Sequence, residues 1–198
     1  MADSYTKNQI DKLGNAIIFL CEKLLPYTQI SKTHILKLVF ILEEISVKRF
    51  GIPFFGLRFD VWKLGPVSKD LYIDLSGEPN LLSAFIDISN NADRSIISPK
   101  LPFSDDEFND IEIQLMEDIA ERFKYCTATE LINFTHRKDS PWFVTAQRHG
   151  LVEILEAGET NATNIEIDLS ELIKEDEAKL AIYRSHQEFL KQTKSLKS

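Results

Sequence analysis

The chain has 198 residues, 43% of them hydrophobic, and a net charge of −8, which suits one domain, or one domain with an appendage, built on a proper core. No run of 18 apolar residues is available for a membrane span, and no basic cluster exceeds a pair such as Lys48-Arg49 or Arg137-Lys138, too little to neutralise nucleic acid phosphates. The acidity is uneven: residues 1–100 hold 12 Lys and Arg against 11 Asp and Glu, whereas residues 101–198 hold 11 against 20, so the second half would steer cationic partners. Met1 to Lys7 is polar, and no secretory leader follows it, which points to a cytoplasmic protein. From Lys7 to Leu25, Ile10, Leu13, Ile17, Leu20, Cys21 and Leu24 recur at three and four, the period of an amphipathic helix that Pro26 ends. Ser31 or Thr33 caps a second helix, in which Ile35, Leu38, Val39, Leu42 and Ile45 line one face and Leu36, Phe40 and Ile41 widen it. A stripe that wide implies burial on more than one side. This helix is placed at the centre of the fold, with Gly51 as its stop.

Phe54 and Phe55, between Pro53 and Gly56, form an apolar loop that either anchors in the core or presents an exposed aromatic patch to a partner. Phe59 to Lys63 alternates as a strand, and Gly65-Pro66 turns the chain into a helix from about Pro66 to Leu75, proline suiting the first helical turn. Leu81 to Ile88 is apolar enough for a helix, Ser89 to Asp93 is turn chemistry, and Ser95 to Ser98 is a short strand to pair with Phe59 to Lys63. Ser104 and Glu107 form a capping box for a helix carrying Phe108, Ile111, Leu115, Ile119 and Phe123. Thr127 and Glu130 form another, for a short helix through Thr135. Ser140-Pro141 starts the next helix, which Gly150 ends. Beyond a polar stretch, Ile165 and Ile167 mark a brief strand, Ser170 caps a last helix, and the chain frays after about Gln192. The fold expected is mostly α (α+β), helical around one central buried helix with a small two- or three-stranded antiparallel sheet.

Chemistry is sparse. Cys21 and Cys126 lie far apart inside helical patterns and read as buried free thiols. His34, His136, His149 and His186 form no metal-ligand spacing with one another, with cysteine or with carboxylates, so neither a metal nor another cofactor is expected. No phosphate-binding glycine loop, dinucleotide fingerprint or nucleophile elbow is present. Thr135 and His136 are adjacent, hence about 100° apart on a helix, a poor geometry for nucleophile and base. Glu43 and Glu44 read as the solvated edge of an apolar helix. No catalytic residue is assigned. His136 closes its helix, where an imidazole can bond the last carbonyls or reach an aromatic ring.

Three stretches resemble, in order, the motifs of one family: Ser31-Lys32-Thr33-His34-Ile35-Leu36-Lys37-Leu38-Val39-Phe40, then Phe59-Asp60-Val61-Trp62-Lys63-Leu64-Gly65-Pro66-Val67, then Leu131-Ile132-Asn133-Phe134-Thr135-His136 with Ser140-Pro141-Trp142 and Ala146. That family is the Panacea domain, the SocA-like antitoxins or phage-associated proteins, and the similarity runs roughly from Ile10 to Glu153. The resemblance implies a helical core domain over residues 1–155, with 156–198 adding a short strand and helix packed on it or extending it. It also implies an antitoxin of a toxin–antitoxin system, which binds a cognate toxin and keeps it inactive; some members also act as adaptors to a cytoplasmic protease. Lys37, Trp62, Gly65, Pro66, Val67, Thr135, His136, Pro141 and Trp142 are then family scaffold, and Phe54 and Phe55 are candidate partner anchors. Alternatives are a DNA-binding regulator of its own operon, which the acidic balance disfavours, and an enzyme acting on a small molecule or nucleotide.

Overall fold

The structure is a computed structural model that describes residues 5–91 and 94–195. Eight α-helices and two small antiparallel sheets make the described chain mostly helical, the class that the residue pattern implies. Helix α1 spans Lys7–Leu24 and begins with a reciprocal capping box, Thr6 Oγ1 accepting from Gln9 N and Gln9 Oε1 accepting from Thr6 N. Helix α2, Lys32–Phe50, is buried at every residue from His34 to Glu44, as its wide stripe predicts. Gly51 ends it at φ +71°, where a Cβ would also meet the Lys179 backbone oxygen at 2.7 Å. Cys21 is buried and Cys126 half-buried, both as free thiols.

Five placements correct the pattern reading. Gly65-Pro66-Val67 is not the start of a helix but strand β2, paired with β1 (Asp60–Trp62) in the register Asp60↔Val67, Val61↔Pro66 and Trp62↔Gly65. The sheet order β2-β1-β5, with β5 at Ala162–Glu166, puts Pro66 on an edge, where its missing N–H costs no ladder bond; the helix that follows, α3, is only Lys69–Asp74. Leu81 to Ile88 is a turn leading into strand β3, Ile86–Asn91: the Asp74 carboxylate accepts from the N–H groups of Asn80, Leu81 and Leu82 and fastens the turn, and from Ile86 the chain is taken up in strand pairing. Strand β4, Arg94–Pro99, exists as expected but pairs with β3 rather than β1, a neighbour that closes a far shorter loop. Ala92 and Asp93 of the expected turn lie outside the described residues, while Ser89 to Asn91 of it belong to β3; the last helix reaches Ser195, past the fraying expected after about Gln192, and residues 196–198 lie outside the described residues.

Helix α4 starts at Asp110, not after Ser104. Its box is Asn109 with Glu112, and this start lines Leu115, Met116, Ile119, Ala120 and Phe123 on one buried face. Helices α5 (Ala128–Thr135) and α6 (Pro141–Arg148) begin where the caps predict, Glu130 accepting from Thr127 N and Ser140 Oγ accepting from Phe143 N. A short α7, Val152–Ala157, follows. Ser170 falls inside a 3-10 turn, Leu169–Ile173, capped by Asp168. The last helix, α8 at Glu177–Ser195, takes its own cap from Asp176, whose carboxylate accepts from Lys179 N.

The chain divides into two compact units, one of Met1–Val39 with Lys69–Leu131, the other of Phe40–Ser68 with Ile132–Ser198. In the first, α1 packs on β4 and α4. In the second, α6 packs on β1 and on the 3-10 turn, and the three-stranded sheet carries Trp62, Gly65, Pro66 and Val67.

Candidate functional site

The second unit gathers the Trp, Gly-Pro and His motifs through its hairpin. Trp62 opposite Gly65 leaves only Lys63-Leu64 to turn, and Gly65 takes φ +95° to do so. The Trp62 indole N–H donates to Thr163 O at 3.2 Å, tying β1 to β5, while Trp62 O accepts from Trp142 Nε1 at 3.0 Å. Trp142 sits in the first turn of α6, set by buried Pro141 and by the Ser140 cap. The His136 ring stacks on it, with centroids 3.9 Å apart and planes at 21°. Thr135 is fully buried, and its hydroxyl donates back to Ile132 O at 2.8 Å. That bond occupies the hydroxyl proton within its own helix. Trp62, Gly65, Pro66, Val67, Thr135, His136, Pro141 and Trp142 therefore all belong to this unit. Lys37 belongs to the first unit, where it is 1% exposed and burial pulls its ammonium down to about 7.

Glu43 and Glu44 overturn the expectation of a solvated edge, since each is 1% exposed. Glu43 points at the loop after α2 and accepts from Phe55 N at 2.7 Å and Leu57 N at 3.1 Å. Burial pushes its carboxyl up to about 7, against the pull of backbone N–H groups from Phe54 to Leu57. Beside it lies a cavity of about 230 Å³ that Arg58, Tyr183, Gln187 and Leu190 also line, and burial raises the Tyr183 phenol to about 12. Glu44 pairs instead with the Arg137 guanidinium. Burial raises the Glu44 carboxyl as well, with the Arg137 hydrogen bond and charge drawing it back. Arg137 in turn donates to Phe134 O, lies over the Phe134 ring at 4.3 Å and meets exposed Asp139 at 3.3 Å.

Of the two alternatives for Phe54 and Phe55 the structure takes core anchoring: they are 2% and 6% exposed and pack edge to face with centroids 4.7 Å apart. The reason is Glu43, which fastens their loop through its backbone. Accessible aromatic surface lies elsewhere. In the first unit Tyr125 is 73% and Tyr27 49% exposed, with rings 5.2 Å apart at 78° and the Lys124 ammonium over both. Leu25 beside Tyr27 is also exposed. Periodicity had a signal for them, because Tyr27 follows the Pro26 stop and Tyr125 follows the last buried position of α4, Phe123, leaving both off the apolar stripes.

Among the described residues no group of three or more His, Cys, Asp or Glu gathers as metal ligands, and no helix is long and apolar enough to cross a membrane. No curated protein and no solved structure matches the chain. The family described as Antitoxin SocA-like, Panacea domain, matches residues 35–143, a span that runs from the buried turns of α2 through the hairpin to Trp142. With more than half of its length in that match, the chain belongs to the SocA-like antitoxin family of Panacea domains.

Proposed function

We propose that this chain neutralises a cognate toxin by binding it directly. The observation that carries the reading is membership of the antitoxin family over residues 35–143. The arrangement of side chains agrees with a binding role: Thr135 is bonded into its helix, His136 is stacked on an indole, and Glu43 and Glu44 are engaged with backbone N–H groups and a guanidinium. A stable inhibitory interface buries about 1,600 Å² in total and draws its energy from a few aromatic or Arg anchors. Tyr27 and Tyr125 are the exposed aromatics best suited to that part, being paired edge to face and already partly ordered by Lys124. The acidic side chains of residues 101–198 favour a basic toxin surface. Delivery of the bound toxin to a cytoplasmic protease would use the same contact and would shorten the toxin's half-life in cells that hold this chain.

The test is co-expression with the product of the neighbouring gene. Toxicity of that product alone, rescue by this chain and recovery of the two as a complex support the proposal. An innocuous neighbour that fails to co-purify overturns it. Tyr125→Ala combined with Tyr27→Ala is expected to weaken the complex at least about tenfold, in the range of hot-spot truncations.

A further inference from the structure

The first unit contains a cavity of about 950 Å³ at the start of α2, walled also by the beginnings of β4 and α5. Its charged and titratable walls are Lys32, Arg94 and His34, and hydroxyls such as those of Ser31, Thr127 and Thr129 supply much of the remainder. Among the described residues no Asp or Glu lines it, although this unit holds 10 Lys and Arg against 17 Asp and Glu. The largest wholly apolar side chain on its wall is Ala128, so an apolar ligand has nothing to pack against. The cavity therefore selects for charge and hydrogen bonding, with a sign opposite to that of the unit around it.

The cations are built into place. The Lys32 ammonium lies over the Tyr72 ring at 4.4 Å and donates to Ser76 Oγ at 3.2 Å, which holds a flexible chain in one position. His34 is 6% exposed, and its Nδ1 accepts from Ser31 N at 3.2 Å, so a neutral ring carries its proton on Nε2. Burial lowers the affinity of this imidazole for a proton, a backbone hydrogen bond at Cys126 works against that, and the Arg94 charge adds to the lowering. The positive end of the 19-residue α2 adds to this field. The start of α5 adds little, because Glu130 turns back onto Thr127 N and Oγ1.

We infer that this cavity binds a small molecule carrying a chain of phosphates, with Arg94 and Lys32 holding the phosphate oxygens and the Thr129 hydroxyl donating to them. Cations on two walls suit charge spread over several oxygens better than one carboxylate. The volume lies in the upper part of the range for small-molecule sites, with room beyond a phosphate chain. The inference of this ligand site does not rest on toxin binding.

The experiment titrates the full chain with inorganic pyrophosphate at constant ionic strength and follows backbone amide signals by NMR. The expected result is a saturable shift confined to residues 31–34, 95 and 127–129. Arg94 is exposed, so Arg94→Ala is expected to keep the spectrum of the folded chain and to bind pyrophosphate at least tenfold more weakly. A parallel titration with ADP separates two sources of the same chemistry: tighter binding than pyrophosphate assigns a nucleotide, equal or weaker binding a bare phosphate chain. Absence of saturation, the same shifts with sodium chloride, or an unchanged affinity in Arg94→Ala overturns the inference.

Discussion

Two neighbouring residues of α2 meet burial in opposite ways. Glu43 is satisfied by neutral donors, the N–H groups of a loop, whereas Glu44 is satisfied by a charge, the Arg137 guanidinium. Both are 1% exposed. A carboxylate cradled by backbone amides can take up a proton and keep an acceptor oxygen on them, so its region tolerates neutralisation. One paired with arginine cannot lose its partner without leaving a charge in a dry interior. The loop of Phe54 and Phe55 is thus held by a group that can titrate, and the start of the α5–α6 connection by a group that must stay paired.

The largest effect is expected where that pairing is broken. Arg137→Ala should lower unfolding stability by about 3 kcal/mol in a denaturant melt, and Glu44→Leu in the same chain should recover most of the loss. Equal losses in the single and double variants would erase the contrast. Glu43→Ala should cost about 2 kcal/mol by stranding the N–H groups of Phe55 and Leu57, while Glu43→Gln, which keeps one acceptor oxygen, should cost about half as much. Trp142→Phe removes the indole bond to Trp62 O and should cost about 1 kcal/mol, testing whether the Arg137 region also depends on its tryptophan. Asp139→Asn touches only the exposed side of Arg137 and should change stability by less than about 0.5 kcal/mol.

Acidity gives the comparison a second axis. Burial raises the Glu43 carboxyl from 4.5 to about 7, so between those values the folded chain holds a proton that the unfolded chain has released. The stability linked to this group is fully present below pH 4.5 and is lost as pH rises to about 7. Glu43→Gln has no such proton to release. Measured in paired melts, the stability of Glu43→Gln relative to the unaltered chain should improve from pH 4.5 to 7 and level off above. A relative stability that does not move across that window would mean that the cradle, not burial, governs Glu43.

Much of the helical layout is legible because local chemistry decides it. Thr127 with Glu130, Ser140 with Pro141, and Gly51 after Phe50 each satisfy or end a helix with residues a few positions away. The wide apolar stripe of α2 likewise translates directly into burial from His34 to Glu44. Where two local solutions compete, sequence is ambiguous: Ser104 and Asn109 both offer a capping box, and the choice falls to whichever start turns Leu115, Met116 and Ile119 inward.

Motifs also made the family legible, since Trp62, Gly65-Pro66, His136 and Trp142 occur in an order that composition alone does not supply. What they do in space was not. That Pro66 lies on an edge strand depends on β5 arriving about a hundred residues later to cover the other side of β1. Glu43 and Glu44 read as solvated because charged residues on a helix usually are; their burial needed a loop 12 residues on and an arginine 93 residues on. Phe54 and Phe55 went into the core with that loop, and exposed aromatic surface fell to Tyr27, Tyr125 and Phe189. By itself the sequence determined most of the helices, the caps at Thr127 and Ser140 and the family, all set by neighbours within a turn or two or by the order of motifs. Tertiary structure alone decided which charges are buried, which strands pair and which rings face solvent, because each depends on donors, acceptors and surfaces far away along the chain.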